Sequence, residues 1–167
     1  MKKLRKNDLG FSLVEIIIVV AIMSILLTTV GYGLSLSDGK PAEECARKLA
    51  GVIQHGRTTT MGKYRNTITV RMDSDKCIVE EKILIKEGEP EGIRSSTVGS
   101  KGVTVEYSTD NGATYVPLSS VMLRFDSGSG ALKEGPTKFK ISKAGTTKYV
   151  VIESLTGRVI VSDTGTS

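Results

Sequence analysis

Three hydropathy patterns follow one another along the chain. From Phe11 to Leu36 a run of about 26 residues contains one charged side chain, Glu15. That length predicts a helix able to cross the roughly 30 Å hydrocarbon core of a bilayer. Gly31 and Gly33 allow a bend near its outer end. The stretch SLSDGKPAEE then groups Ser, Asp, Gly and Pro and marks a break, with Pro41 suited to the first turn of a new helix. From Ala42 to about Lys63 the period is helical. Cys45, Leu49, Val52 and Gly56 recur on one face with Ala46 and Ile53, which predicts an amphipathic helix packed on a sheet.

Beyond residue 64 the period becomes two. Ile68, Val70 and Met72 alternate with polar residues, and Cys77, Val79, Ile83 and Ile85 share one parity. Strands are expected at 66–73, 76–87, 103–107, 121–126, 137–142, 148–154 and 158–162, separated by Gly-, Asn- and Asp-bearing turns. The polar stretch 87–101 reads as a loop. The fold class expected is α+β, with a long N-terminal hydrophobic helix continuing into an amphipathic helix packed on antiparallel sheet. The boundaries are a leader at 1–10, a membrane helix at 11–36, a linker and amphipathic helix at 37–63, and an extracytoplasmic β-rich domain at 64–167.

Composition changes this picture little. The 167 residues are 39% hydrophobic and 25% charged, and with 5% aromatics and no Trp the core must be aliphatic. The formal charge of +5 suggests anionic partners, but Lys2, Lys3, Arg5 and Lys6 against Asp8 place +3 of it in the first ten residues. The same cluster predicts that the N-terminus stays cytoplasmic and that everything after the helix is exported.

Glu15 decides how the apolar run is read. A secretory signal peptide has a shorter, uncharged core and a small-residue cleavage site after it, which is absent here. In a plain signal anchor Glu15 would be incidental, and a buried helix of a soluble domain would need more cover than this chain offers. An unpaired carboxylate within an apolar span costs a few kcal/mol at its centre, so it calls for a cationic partner. Cutting between Gly10 and Phe11 creates one, an α-amino group four residues upstream. Pairing of that amine with Glu15 between neighbouring subunits would neutralise both charges and fix the axial stagger. The competing reading is that Glu15 snorkels to the nearby interface.

The segment KNDLGFSLVEIIIVVAIMSIL resembles the N-terminus of type IV pilins and type II secretion pseudopilins. The resemblance implies that a membrane prepilin peptidase cuts after Gly10 and methylates Phe11, and that Glu15 serves filament assembly. It implies a pilin-like fold. It implies as partners the peptidase, other pilin or pseudopilin subunits, the inner-membrane assembly platform and membrane lipid. The implied location is the cytoplasmic membrane, single-pass, and then the filament. The C-terminal stretch LRFDSGSGALKEGPTKFKISKAGTTKYVVIESLTGRVIV resembles the H-type pseudopilin and FimT-like minor pilin domain. Phe125, Gly128, Gly130, Gly145, Thr156, Gly157, Arg158 and Val159 carry that second resemblance, which implies a minor subunit.

Other candidate chemistry is sparse. Cys45 and Cys77 both fall on inward faces, so a helix-to-strand disulfide and a pair of buried free thiols both stand. With one histidine, His55, there is no catalytic triad, no Cys/His zinc set and no nucleophile elbow. His55 is expected to be exposed and inert. The loop DSGSGALKEG lacks the Lys-Ser/Thr ending of a phosphate loop. No cofactor, metal or enzymatic activity is expected. Residues 131–167 carry net +3, and Lys138 and Lys140 share an outward parity, so these two with Arg158 are candidate contacts to nucleic acid; a solvated strand face is the plainer reading. Two functions follow: a structural minor pilin or pseudopilin, or a DNA-binding minor pilin of a competence pilus.

Overall fold

The computed structural model describes residues 13–35, 40–62, 64–84 and 92–165, and the side chains within them except those of 26–35. The chain divides into two compact units, Met1–Ser37 and Asp38–Ser167.

In the first unit a helix, α1, spans Leu13–Ser35. Glu15 occupies its first turn, where a carboxylate complements the partial positive charge of the helix start. Leu13, Val14, Ile16, Ile17, Ile18, Val19 and Val20 are all exposed within the chain. A helix apolar on every side has no face to turn to water.

The second unit is α+β. Helix α2 covers Lys40–Met61, with Pro41 in its first turn, where the missing N–H is no loss. Ten strands follow: β1 (Arg65–Asp73), β2 (Lys76–Leu84), β3 (Gly92–Thr97), β4 (Thr104–Ser108), β5 (Val116–Pro117), β6 (Ser120–Phe125), β7 (Leu132–Glu134), β8 (Lys138–Lys143), β9 (Thr146–Ile152) and β10 (Val159–Ser162). They form two five-stranded sheets, ordered β3-β2-β1-β6-β7 and β10-β9-β8-β4-β5, antiparallel at every pairing.

Helix α2 packs against both sheets. Its buried face is Ala42, Cys45, Ala46, Leu49, Ile53, Gly56 and Thr60. It meets Ile68, Val70, Val79 and Leu123 from one sheet and Phe139, Ile141, Val150 and Ile152 from the other. Each of the larger side chains contributes about 1.5–3 kcal/mol by leaving water. On the solvent face Glu43–Arg47 and Glu44–Lys48 pair one turn apart at 2.8 and 2.7 Å. Such exposed pairs add only a few tenths of a kcal/mol each. Packing therefore holds this helix in place.

Three strands lie where the sequence pattern gave no signal. Within the stretch expected to be a loop, Gly92–Thr97 forms edge strand β3 and pairs with β2 from Ile78↔Thr97 to Ile83↔Gly92. Its residues are almost all exposed, so backbone pairing holds it without an apolar period. β5 and β7 are two and three residues long, too short for an alternation to register. The end of the strand expected at 76–87 and the rest of that loop, 85–91, lie outside the described residues.

Near the far end of α2, Arg57 draws two loops together. Its Nε donates to the carbonyl oxygens of Gly130 and Thr156 at 3.1 and 3.0 Å. Gly157, at φ +67°, passes so close that a Cβ there would sit 1.8 Å from the Gly130 oxygen. No other residue type fits.

Candidate functional site

Gly10 and Phe11, the expected cleavage and methylation positions, lie outside the described residues. Glu15 lies in the first turn of α1, exposed and surrounded in sequence by exposed Leu13, Val14, Ile16 and Ile17. A carboxylate set among these side chains is well solvated only where water reaches it. In any apolar surrounding it requires a cation or a proton. Residues 5–31 match the prokaryotic N-terminal methylation motif. The motif covers the basic leader, Gly10, Phe11, Glu15 and most of α1, and it supports a type IV pilin-like or pseudopilin precursor, membrane-anchored and subject to prepilin cleavage. No curated protein and no solved structure matches the chain. Among the described residues no helix is long and apolar enough to cross a membrane, and the described side chains of α1 are those of 13–25. The span expected over 11–36 therefore rests on the sequence.

The lysines expected on an open strand face are arranged otherwise. Lys138 is 8% exposed, and its Nζ donates to the Gly165 carbonyl at 2.8 Å. Lys140 pairs with Glu106 at 2.8 Å and lies 5.5 Å from the Tyr115 ring centre. The hydrogen bond from Lys140 to Glu106 holds the ammonium above its usual pKa. Parity located both side chains on one face of β8 correctly, but neighbouring chain covers that face. The turn after β4, through Gly112 and Tyr115, and the segment at Gly165 close over it. Arg158 is exposed.

His55 is exposed, as expected. Its side chain is 50% exposed, yet Nδ1 lies 3.1 Å from Oε1 of Glu81, whose side chain is 3% exposed. The histidine thus shields a buried carboxylate between α2 and β2. The signal was present, because the parity that turns Cys77 and Val79 inward turns Glu81 inward too.

One basic cluster was not anticipated. Arg65, Arg124 and Lys133 line a cleft of about 290 Å³ together with Tyr64, Asn66 and Asp126. Asp126 is occupied locally, accepting hydrogen bonds from the Gly128 and Ser129 amides and the Ser129 hydroxyl at 2.8–3.0 Å. Those bonds, the Ser129 amide first, hold its carboxyl below the usual range. Asp126 stays ionised within the cleft, and Arg124 lies 3.8 Å from Glu134, so the three cations are partly offset. The antiparallel register that sets Thr67 opposite Arg124 creates the cleft, and no local motif carries that information.

Cys45 and Cys77 are both buried and both free thiols, and both lie against Gly99. The interaction with Cys45 first, and burial after it, push the Cys77 thiol up. Sequence parity had directed both inward, and the fold brings them together. Among the described residues no three His, Cys, Asp or Glu side chains are grouped as a metal would require.

Proposed function

We propose that this chain is a minor pilin or pseudopilin, a structural subunit that assembles through its N-terminal helix. The observation that carries the reading is the methylation motif over residues 5–31 coinciding with a helix that is apolar on all sides except for one acid in its first turn. In this reading prepilin peptidase cuts after Gly10, Phe11 becomes the methylated N-terminus, and residues 11–36 hold the chain in the cytoplasmic membrane. The amine of Phe11 on one subunit meets Glu15 of its neighbour. Correct register neutralises both charges, whereas a slipped register leaves each in hydrocarbon at a cost of several kcal/mol. The second unit then lies outside the membrane and provides contact surface. Its role is structural, without turnover, and its partners are other subunits, the assembly platform and lipid.

The C-terminal resemblance to H-type pseudopilins and FimT-like minor pilins favours a low-copy subunit of a type IV pilus or type II secretion pseudopilus. A DNA-binding role in a competence pilus has less support, since Lys138 and Lys140 are engaged within the fold and Arg158 alone of the three stays exposed. Glu15→Ala tests the assembly reading. The variant should be cut and methylated normally but recovered in sheared filaments at least tenfold below the wild-type chain, roughly the ratio that 1.4 kcal/mol produces. Equal recovery would remove Glu15 from the account.

A further inference from the structure

The chain has two cysteines, and the fold sets them against each other. Cys45 is on the buried face of α2 and Cys77 on the inward face of β2, each 1% exposed. The chain after β3 folds over the pair. The amides of Val98 and Gly99 both donate to the Cys77 carbonyl, at 2.9 and 3.2 Å. Gly99 fits there because it has no side chain. A Cβ on it would stand 3.0 Å from Cys77 Cβ and 3.1 Å from Cys45 Sγ, so both cysteines crowd the same small volume.

Buried thiols often serve only as small apolar groups. Two features set this pair apart. The two side chains crowd one small volume beneath Gly99, and a cleft of about 200 Å³ opens beside one of them. Its lining includes Pro41, Glu44, Cys45, Lys48, Val98 and Gly99, whereas Cys77 is not part of it. Contact with Cys77 first, and the charge of Lys48 after it, lower the Cys45 thiol, while burial and the Glu44 carboxylate that pairs with Lys48 at 2.7 Å oppose them.

We propose that Cys45 and Cys77 are a thiol–disulfide exchange site, reached through this cleft at Cys45 by an external disulfide and closed as a bond that clamps α2 to β2. The steps balance. Cys45 gives up its proton and its thiolate attacks one sulfur of the external disulfide; the external S–S bond breaks, and its electron pair leaves on the departing thiolate. Cys77 then loses its proton and attacks Cys45 Sγ, the mixed disulfide breaks, and a second external thiolate leaves. The two protons end on the two released thiols, so one external disulfide is reduced and the two protein thiols are oxidised. Closing the bond fixes the helix that follows the anchor in sequence onto its sheet.

The test uses the full chain, extracted in mild detergent and exposed to oxidised glutathione. The expected product is lighter by about 2 Da, with neither thiol open to alkylation and with the peptides of Cys45 and Cys77 joined after proteolysis. Amide exchange in α2 should slow by roughly tenfold on oxidation and recover with dithiothreitol. In the Cys77→Ser variant glutathione should remain attached to Cys45. In Cys45→Ser, Cys77 should stay unmodified. If either variant does not fold, limited alkylation of the reduced wild-type chain gives the same answer, with Cys45 modified first. A stable glutathione adduct on the wild-type chain, or thiols that remain alkylatable after oxidation, would overturn the exchange site. Modification of Cys77 first would overturn access through the cleft.

Discussion

Helix α1 and helix α2 are similar in length, 23 and 22 residues, and opposite in how they meet their surroundings. α2 has one apolar stripe, and two sheets of its own chain cover it. α1 is apolar all round, and its described side chains, 13–25, are exposed within the chain. A helix of the first kind is explained by the fold that contains it. A helix of the second kind is what lipid or packing against other helices would cover. In the proposed reading, function concentrates in the region with the least tertiary structure, and stability in the region with the most.

That contrast predicts that the two regions fail separately. The largest effect should come from Gly157→Ala, where the added carbon overlaps the Gly130 carbonyl and the φ of +67° disfavours any side chain. It should cost the second unit about 3 kcal/mol or more by thermal or denaturant unfolding. Membrane association should be unchanged. Val20→Asp should do the reverse. An added acid at the middle of the apolar run opposes insertion by about 2.5–3.5 kcal/mol, read as protein lost from the membrane fraction. The melting of Asp38–Ser167 should stay as it was. If each substitution damaged both properties, the division would be wrong.

A smaller effect sharpens the account of the α2 contacts. His55→Ala removes the partner of Glu81, whose side chain is only 3% exposed, and should destabilise the second unit by about 1–3 kcal/mol. Adding Glu81→Leu should restore most of that loss, because an apolar side chain asks for no partner. No recovery in the double variant would mean that His55 acts through packing instead.

The smallest effect concerns acid. Hydrogen bonds from Ser129 and Gly128 hold the Asp126 carboxyl below its ordinary value of about 3.9. A depressed carboxyl stabilises above its unfolded value, and the contribution is lost as pH falls through the folded one. The turn at 126–130 should therefore loosen below about pH 4, seen as faster amide exchange at Gly128 and Ser129. In Asp126→Asn that pH dependence should disappear.

The sequence disclosed these regions unequally, for physical reasons. The buried face of α2 and the inner faces of β1, β2, β8 and β9 were legible because burial imposes a period on side chains. β3 was not legible, because an exposed edge strand is held by backbone hydrogen bonds that leave no such period. Lys138 was misplaced because parity fixes a side of the sheet and says nothing of what later chain covers it. The basic cleft of Arg65, Arg124 and Lys133 depends on which strands become neighbours, a non-local fact. Glu81 was legible and passed over, since inward parity already marked it as a buried acid. The N-terminal motif was readable without any fold, as the chemistry of Gly10, Phe11 and Glu15 needs only their order and an apolar surround.

The central claim is that cleavage after Gly10 generates the amine that Glu15 requires. The most direct measurement is the mass of the N-terminal peptide from protein extracted from membranes of a host with active prepilin peptidase. The account predicts a chain that begins at Phe11 and carries one added methyl. A chain still bearing residues 1–10, or one cut after the apolar run, would contradict it.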